Sequence, residues 1–411
     1  MIILYGYGIS NKSVEKYLIN KSLLYQVIED NDNSIINYED VDLIIKSPGI
    51  KNDTLFLKMA RHYNIKIVTD IEFLYYCLVK ENINNIIISI TGSNGKTTTV
   101  SILKSVLEDF YTCGNIGNGL FVNVNLYEKY LIECSSYMLE YANTFKPHIH
   151  CILNLEKHHI SHHGSFINYI KAKTKPLKNM NENDLFVYDN DNLLLKRISE
   201  VYICKSESFS LNNISSSCYM NDNVIFYHGN QYLKVDEINI KGLHNYKNIM
   251  ACIIILKYLK ISDKQILNIK YFKPLSHRLE IIKANKYEST IFINDSKSTS
   301  PYAMHEAIKF VEKEYPMNNV ILLVGGKKEN IDYHLFNISS DKISKVYSFG
   351  EINNFVENAN KKFRSLHELL TFLKQDNLKE KVVLFSPGAP SLDEFNSYIE
   401  RGEYFKSSFL N

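Results

Sequence analysis

The sequence predicts an α/β protein. Short apolar runs alternate with amphipathic stretches along most of its 411 residues, the pattern of strands joined by helices around mainly parallel sheets. A glycine turn follows the first apolar run, and a second glycine-rich loop, ITGSNGKTTT at 90–99, stands between another strand and another helix. The length exceeds one core of usual size, so more than one such unit is expected.

In chain order, MIILYG at 1–6 reads as the first strand, Gly6-Tyr7-Gly8 as a turn and KSVEKYLI at 12–19 as a helix. The second strand, LLYQVIED, ends on Glu29 and Asp30. A carboxylate about 20 residues after a G-x-G turn suits a nucleotide ribose, with the helix N-terminus facing a pyrophosphate. Asn11 occupies the place of the third glycine. That favours a nucleotide other than NAD, or a nucleotide sugar, and leaves open that Gly6 and Gly8 only tighten the turn. DLIIKSPGI at 42–50 and IKIVTD at 65–70 supply further strands, and the helix IEFLYYCLV at 71–79 closes this part.

The polar NINN at 82–85 marks a boundary, followed by the strand IIISI, the loop and the helix TTVSILKSVLEDF. The loop departs from the common phosphate-binding spacing G-x-x-x-x-G-K-[ST]. Ile90 stands where the first glycine belongs, and Gly92 lies only three residues before Gly95. Strand, loop and helix is nevertheless the context a phosphate site requires. Backbone N–H groups of Gly92, Ser93, Asn94, Gly95, Lys96, Thr97 and Thr98 would face phosphate oxygens. Lys96 adds a positive charge, and the Thr97 hydroxyl can ligate Mg²⁺.

A third part alternates again: STIFINDS, NNVILLVGG, KVYSFG and KVVLFSPG read as strands, and 391–409 as a C-terminal helix. Polar signals close these strands, at 294–297, 325–326 and 386–388, where an open parallel sheet collects its ligands. Three domains are therefore expected: a Rossmann-like domain at 1–83, a central P-loop ATPase-type α/β domain at 84–274, and a Rossmann-like domain at 275–411.

Composition excludes several classes. Forty-seven basic and 45 acidic residues leave a net charge of +2, which gives no reason to expect nucleic acid. No apolar run approaches the roughly 18 residues of a membrane span, and 1–10 lacks the basic start of a signal peptide, so no membrane insertion and a cytoplasmic location are expected. Seven scattered cysteines without a C-x-x-C pair read as reduced core residues.

A phosphate loop needs an acidic partner for its magnesium, and Glu133 closes an apolar strand where burial of a lone carboxylate would be costly. The run EKHHISHHGS holds His158, His159, His162 and His163. Zinc is one reading of such spacing. A polar loop with one useful histidine is preferred, because no neighbouring cysteine or carboxylate in the sequence completes a structural set.

ITGSNGKTTT, GNIGNG (114–119), ECSSYMLE (133–140), HNYKN (244–248), HRLE (277–280), NDSKST (294–299) and SPGAPSLDEF (386–395) together resemble the successive signatures of the Mur ligase family. The short loop spacing is itself a mark of that family. The resemblance is nearest to members that add D-glutamate to UDP-N-acetylmuramoyl-L-alanine. It implies ATP and two Mg²⁺ ions, a substrate carboxylate activated as an acyl phosphate, and amide formation by the amine of D-glutamate. A monomer is expected. Carried over by residue, Lys96 would serve phosphoryl transfer, and Thr97 and Glu133 would hold one magnesium. His159 and a carbamylated Lys173 would serve the second. Asn245 and Asn248 would lie near the adenine, with Arg278 and Asp295 near the nucleotide and the domain joint. Lys297, Thr299, Ser391, Leu392 and Tyr398 would contact D-glutamate, while Ile9, Ser10, Asp30, Ser47 and Asn115 would line the UDP-sugar.

Four positions depart from that pattern. His158 and Ser161 stand where the family carries aspartates around its metal histidine, Met138 replaces a glutamine, and Glu329 occupies a place often held by a substrate-binding lysine, which Lys327 or Lys328 would have to supply. A different acceptor within the superfamily, or a nucleotide-binding regulator without catalysis, are the rival readings. A dinucleotide-dependent oxidoreductase offers no use for the second phosphate loop.

Overall fold

The computed structural model describes residues 1–411 except 30–35, 116–117, 122–125, 158, 274, 316–318, 329–332, 339–342 and 411. Among the described residues the chain forms three sheets and divides into two compact units, Met1–Phe272 and Lys273–Asn411. The segments expected as first and second domains thus each carry a sheet but cluster as one unit. No helix among the described residues is long and apolar enough to cross a membrane.

The first sheet has four parallel strands in the order Tyr25–Ile28, Ile2–Tyr5, Leu43–Lys46 and Lys66–Val68. Its inner strand IILY is apolar throughout because helices cover both faces, and Ile3 and Leu4 are fully buried. Helix Ile9–Asn20 follows the glycine turn. Asn11, at the position where a third glycine was sought, is fully buried. Its amide donates to the carbonyls of Tyr5 (3.2 Å), Gly6 (2.8 Å) and Ile45 (3.0 Å), so it ties the helix to two strand ends. Asn11→Ala would leave those buried carbonyls short of a donor, and a loss of about 1–3 kcal/mol is expected in denaturant unfolding. An unchanged midpoint would show the bracket to be dispensable.

The second sheet has nine strands. In spatial order they are Asn230–Lys234, Val224–Tyr227, Cys218–Asn221, Lys205–Ser210, Leu185–Asp189, Ile149–Ile152, Ile86–Thr91, Lys129–Glu133 and Tyr111–Gly114. From Cys218–Asn221 to Tyr111–Gly114 neighbouring strands run parallel, while the last two hairpin-linked strands at the far edge are antiparallel. Asp222 and Asn223 both adopt positive φ, as do His228 and Gly229, which is the two-residue geometry that joins twisted antiparallel strands. Ile86–Thr91 lies inside this sheet with Ile87, Ile88 and Ile90 fully buried. Helix Leu243–Tyr258 packs into the same core, its residues Ile249–Leu256 without exposure.

The second unit carries a six-stranded sheet in the order Glu280–Ile282, Ile291–Asn294, Val382–Gly388, Val320–Gly325, Ile343–Phe349 and Lys361–Phe363. Only Glu280–Ile282 is antiparallel to its neighbour. The C-terminal helix begins at Tyr398, not at Ser391. Residues 391–395 turn instead, with the Ser391 carbonyl accepting from the Glu394 and Phe395 amides. The polar ends of three adjacent strands, near Asn294, Gly325 and Gly388, therefore meet at one edge of this sheet.

Candidate active site

The phosphate-loop sequence folds as expected. Strand Ile86–Thr91 ends at the loop, and helix Lys96–Lys104 begins directly after Gly95. Gly95 has a φ of 84°, and a Cβ there would come 2.4 Å from Asn248 Oδ1, so both backbone conformation and space require glycine. Asn248 is buried and packs behind the loop, and its amide reaches Asn245 Oδ1 at 3.4 Å.

Residues from the neighbouring strand end brace the loop. Asn154 Oδ1 accepts from the Asn94 amide (2.8 Å), and Glu156 Oε2 accepts from Asn94 Nδ2 (3.0 Å). Ser93 Oγ accepts from the Glu156 amide (2.9 Å) and lies 2.8 Å from the Tyr169 hydroxyl. Asn154, Glu156 and Tyr169 were not singled out from the sequence. The available signal was the polar NLE after an apolar strand, opposite the loop's own strand. Lys96 Nζ folds back on the carbonyls of Gly92 (2.8 Å) and Ser93 (2.9 Å). Thr97 is half-buried in the first helical turn, and Thr98 is buried.

Glu133 is the last residue of its strand and 1% exposed. Asn115 Nδ2 donates to its Oε1 at 3.0 Å, while Oε2 has no hydrogen-bond partner among the described residues. A buried carboxylate oxygen left in that state is a ready cation ligand. Lys173, on helix Phe166–Thr174, is 1% exposed. Its Nζ donates to Thr91 Oγ1 and to the Gly92 carbonyl, both at 2.9 Å. Burial, and then the positive charge of Lys96, push its pKa well below the usual lysine range. The solvated helix face that a lysine ordinarily occupies is thus excluded.

His159 is exposed, with a left-handed backbone at the start of the short helix Ile160–His163 and its ring 4.9 Å from that of Tyr137. His162 and His163 turn instead toward Glu140. The expectation that no carboxylate joins the histidine run is therefore corrected, because Glu140 comes from ECSSYMLE, a segment brought alongside by the fold. His158 lies outside the described residues.

Of the residues expected to line a UDP-sugar, Ile9 is exposed on the first turn of its helix. Ser10 hydrogen-bonds Asp70, whose carboxyl burial pushes up to about 6. Ser47 follows strand Leu43–Lys46, its amide donating to the Tyr5 carbonyl at 2.8 Å. Asn115 joins Glu133 instead of the first sheet, and Asp30 lies outside the described residues.

In the second unit, Lys297 Nζ sits 3.9 Å from the centre of the Tyr398 ring, so two expected contacts to an amino acid come together. Ser391 is buried, Leu392 exposed, and Thr299 half-buried. Arg401, missed as a site residue, is fully buried. It donates to the carbonyls of Ser296 (2.9 Å) and Ala389 (3.0 Å) and to Ser296 Oγ (3.1 Å), joining the loops that follow two strands. Glu329 lies outside the described residues.

Asp295 accepts from Ser386 Oγ at 2.8 Å and from the Leu279 amide at 3.2 Å. Burial raises its carboxyl from 3.8 to about 7, against the lowering effect of Ser386 and of the half-buried Arg278. A raised folded value means that folding favours the protonated acid. That stability is present below about pH 4 and is lost as pH climbs to about 7, amounting to about 4 kcal/mol. Asp295→Asn is expected to flatten the urea-unfolding profile over that window, and parallel profiles would show the carboxylate to be ionised in the fold.

Comparison with known proteins places this arrangement. The family model of the Mur ligase middle domain matches residues 90–256. The chain is 30% identical over 423 residues to a UDP-N-acetylmuramoylalanine--D-glutamate ligase from Francisella tularensis subsp. novicida, covering 99% of this chain and 95% of that protein. It is 31% identical over 439 residues to the protein of the same name from Fusobacterium nucleatum, covering 99% and 98%. Among solved structures, UDP-N-acetylmuramate-alanine ligase MurC from Thermotoga maritima aligns with a TM-score of 0.63 at 18% identity, covering 99% of both chains. MurF ligase from the same organism, in complex with ADP, aligns with a TM-score of 0.63 at 15% identity, covering 100% and 94%. These structural likenesses speak for the three-domain fold.

Proposed function

The chain belongs to the Mur ligase family, and from that premise we propose that it is an ATP-dependent ligase that joins D-glutamate to UDP-N-acetylmuramoyl-L-alanine in peptidoglycan-precursor synthesis. The observation that carries the substrate assignment is the 30–31% identity to ligases of that name, which runs over 99% of the chain and so includes the second unit as well as the phosphate loop.

The loop amides between Gly92 and Thr98 receive the ATP phosphates. Lys96 gives up its two loop carbonyls and neutralises charge as the γ-phosphoryl group moves to the alanyl carboxylate, with ADP leaving. The amine of D-glutamate then attacks the acyl phosphate. An amide forms, and phosphate and a proton are released.

Thr97 and Glu133 fit one Mg²⁺, given the unpartnered Glu133 Oε2, and His159 with a modified Lys173 would hold the second. When bound, magnesium supplies neutralisation of the phosphate charge. An ammonium cannot ligate a cation. The depressed pKa of Lys173 instead favours the neutral amine, which can attack CO₂, lose a proton and become a carbamate carboxylate. Asn245 and Asn248 serve the adenine side of the nucleotide, with Arg278 and Asp295 also assigned to it. Ile9, Ser10, Asp30, Ser47 and Asn115 are assigned to the UDP-sugar, and Lys297, Thr299, Ser391, Leu392 and Tyr398 to D-glutamate. The reading includes a cytoplasmic location and action as a monomer.

The test is phosphate release from MgATP with UDP-N-acetylmuramoyl-L-alanine and D-glutamate, L-glutamate or no amino acid. Release that requires D-glutamate is expected. Release with another acceptor would reassign the substrate within the superfamily, and none with any acceptor would overturn catalysis.

A further inference from the structure

We propose that Glu140, His162 and His163 form an additional metal site, taking a divalent transition ion of the zinc class and clamping the histidine loop to the short helix Ser136–Leu139. The three side chains present ligand atoms that all lie within 4.8 Å of one another. His162 Nε2 is 3.0 Å from Glu140 Oε2, and His163 Nδ1 is 3.7 Å from Glu140 Oε1. Tetrahedral zinc with bonds of about 2.0–2.1 Å separates its ligands by roughly 3.3 Å, a value between the two. Two imidazoles and one carboxylate make a nitrogen-rich set that suits zinc better than magnesium.

An ion pair of Glu140 with His162 does not account for the second ring. The His163 side chain is 0% exposed, and its Nδ1 has no hydrogen-bond partner among the described residues. Its other nitrogen is held by Ser136 Oγ at 2.9 Å, the kind of outer contact that orients a ligating imidazole. Asn52 Nδ2 fixes the carboxylate from a further side at 2.7 Å. The His162 side chain is 9% exposed and that of Glu140 23%, which leaves an approach for the ion and for solvent as fourth ligand. The clamp would fix the short helix that His159 caps, while sharing no side chain with the set Thr97, Glu133, His159 and Lys173.

The experiment is Co²⁺ titration of the full chain without nucleotide, read by visible absorption and calorimetry. Glu133→Gln combined with His159→Asn serves as background, so that neither magnesium set contributes. One ion per chain is expected in that background, without thiolate charge-transfer bands, since all seven cysteines are buried elsewhere. Adding Glu140→Gln, His162→Gln or His163→Asn should weaken binding about tenfold or more, and EDTA should lower the melting temperature only of the chain that retains all three. Circular dichroism selects the folded variants. No Co²⁺ bound in the Glu133→Gln, His159→Asn background, or equal binding in the folded added variants, would overturn the site. Because the readout is metal content, failure of the ligase assay would not affect the result.

Discussion

Lys173→Ala is expected to lower D-glutamate-dependent phosphate release by about 10³-fold, and added acetate or another short carboxylate should restore part of it. The size follows from removing one charged group that acts on phosphoryl transfer in a desolvated site. The restoration follows from geometry. The lysine is buried, its Nζ lies 2.9 Å from both Thr91 Oγ1 and the Gly92 carbonyl, and truncation leaves a void beside the loop, where the lost side chain lay, that a small anion can fill. The same chemistry predicts a carbamate carbon signal when wild-type protein is equilibrated with ¹³C-bicarbonate, absent from the variant. Equal activity in mutant and wild type would remove Lys173 from the mechanism. Lost activity without rescue or carbamate signal would leave it as a positive charge beside the phosphates.

Glu133→Gln should cost a similar factor, about 10³ in turnover, and should raise the Mg²⁺ concentration needed for half-maximal rate. The substitution keeps the shape of the side chain and removes only the charge. In the fold, Oε1 is satisfied by Asn115 at 3.0 Å and Oε2 has no partner among the described residues. A carboxylate kept for structure would have both oxygens bonded, and its loss would appear in the melting temperature while activity persisted. That outcome would refute the metal role. Retained stability with lost activity is the result expected of a ligand.

Several of these features were legible in the order of residues. The phosphate loop is contiguous, so strand, glycines, Lys96 and Thr97 could be read as one unit despite the irregular spacing. Glu133 was recognisable because a charge ending an apolar strand is costly unless it has a use. The long helix at 391–409 was misread in its first turn, since local periodicity did not register that Ser391 accepts two amide hydrogen bonds and starts a turn. The two hairpins that link Cys218–Asn221, Val224–Tyr227 and Asn230–Lys234 at the edge of the central sheet were not legible in this way. Each strand is only four or five residues long, one of them, NQYLK, is largely polar, and their signals, Asp222-Asn223 and His228-Gly229, are two-residue turns.

The sequence by itself determined the α/β class, the nucleotide loop and the family, because each is carried by residues adjacent in the chain or by motifs in a fixed order. Only the tertiary structure decided which charged groups are stripped of water. Lys173 looks like any surface lysine in YIKAK until its helix packs under Thr91 and Gly92. Glu140 lies some twenty residues from the histidines it meets. Arg401 becomes a buried organiser only once the strand ends near Ser296 and Ala389 close over it. Desolvation depends on what distant segments place around a side chain, so local pattern did not mark these residues, and Lys173 was reached only through the family resemblance.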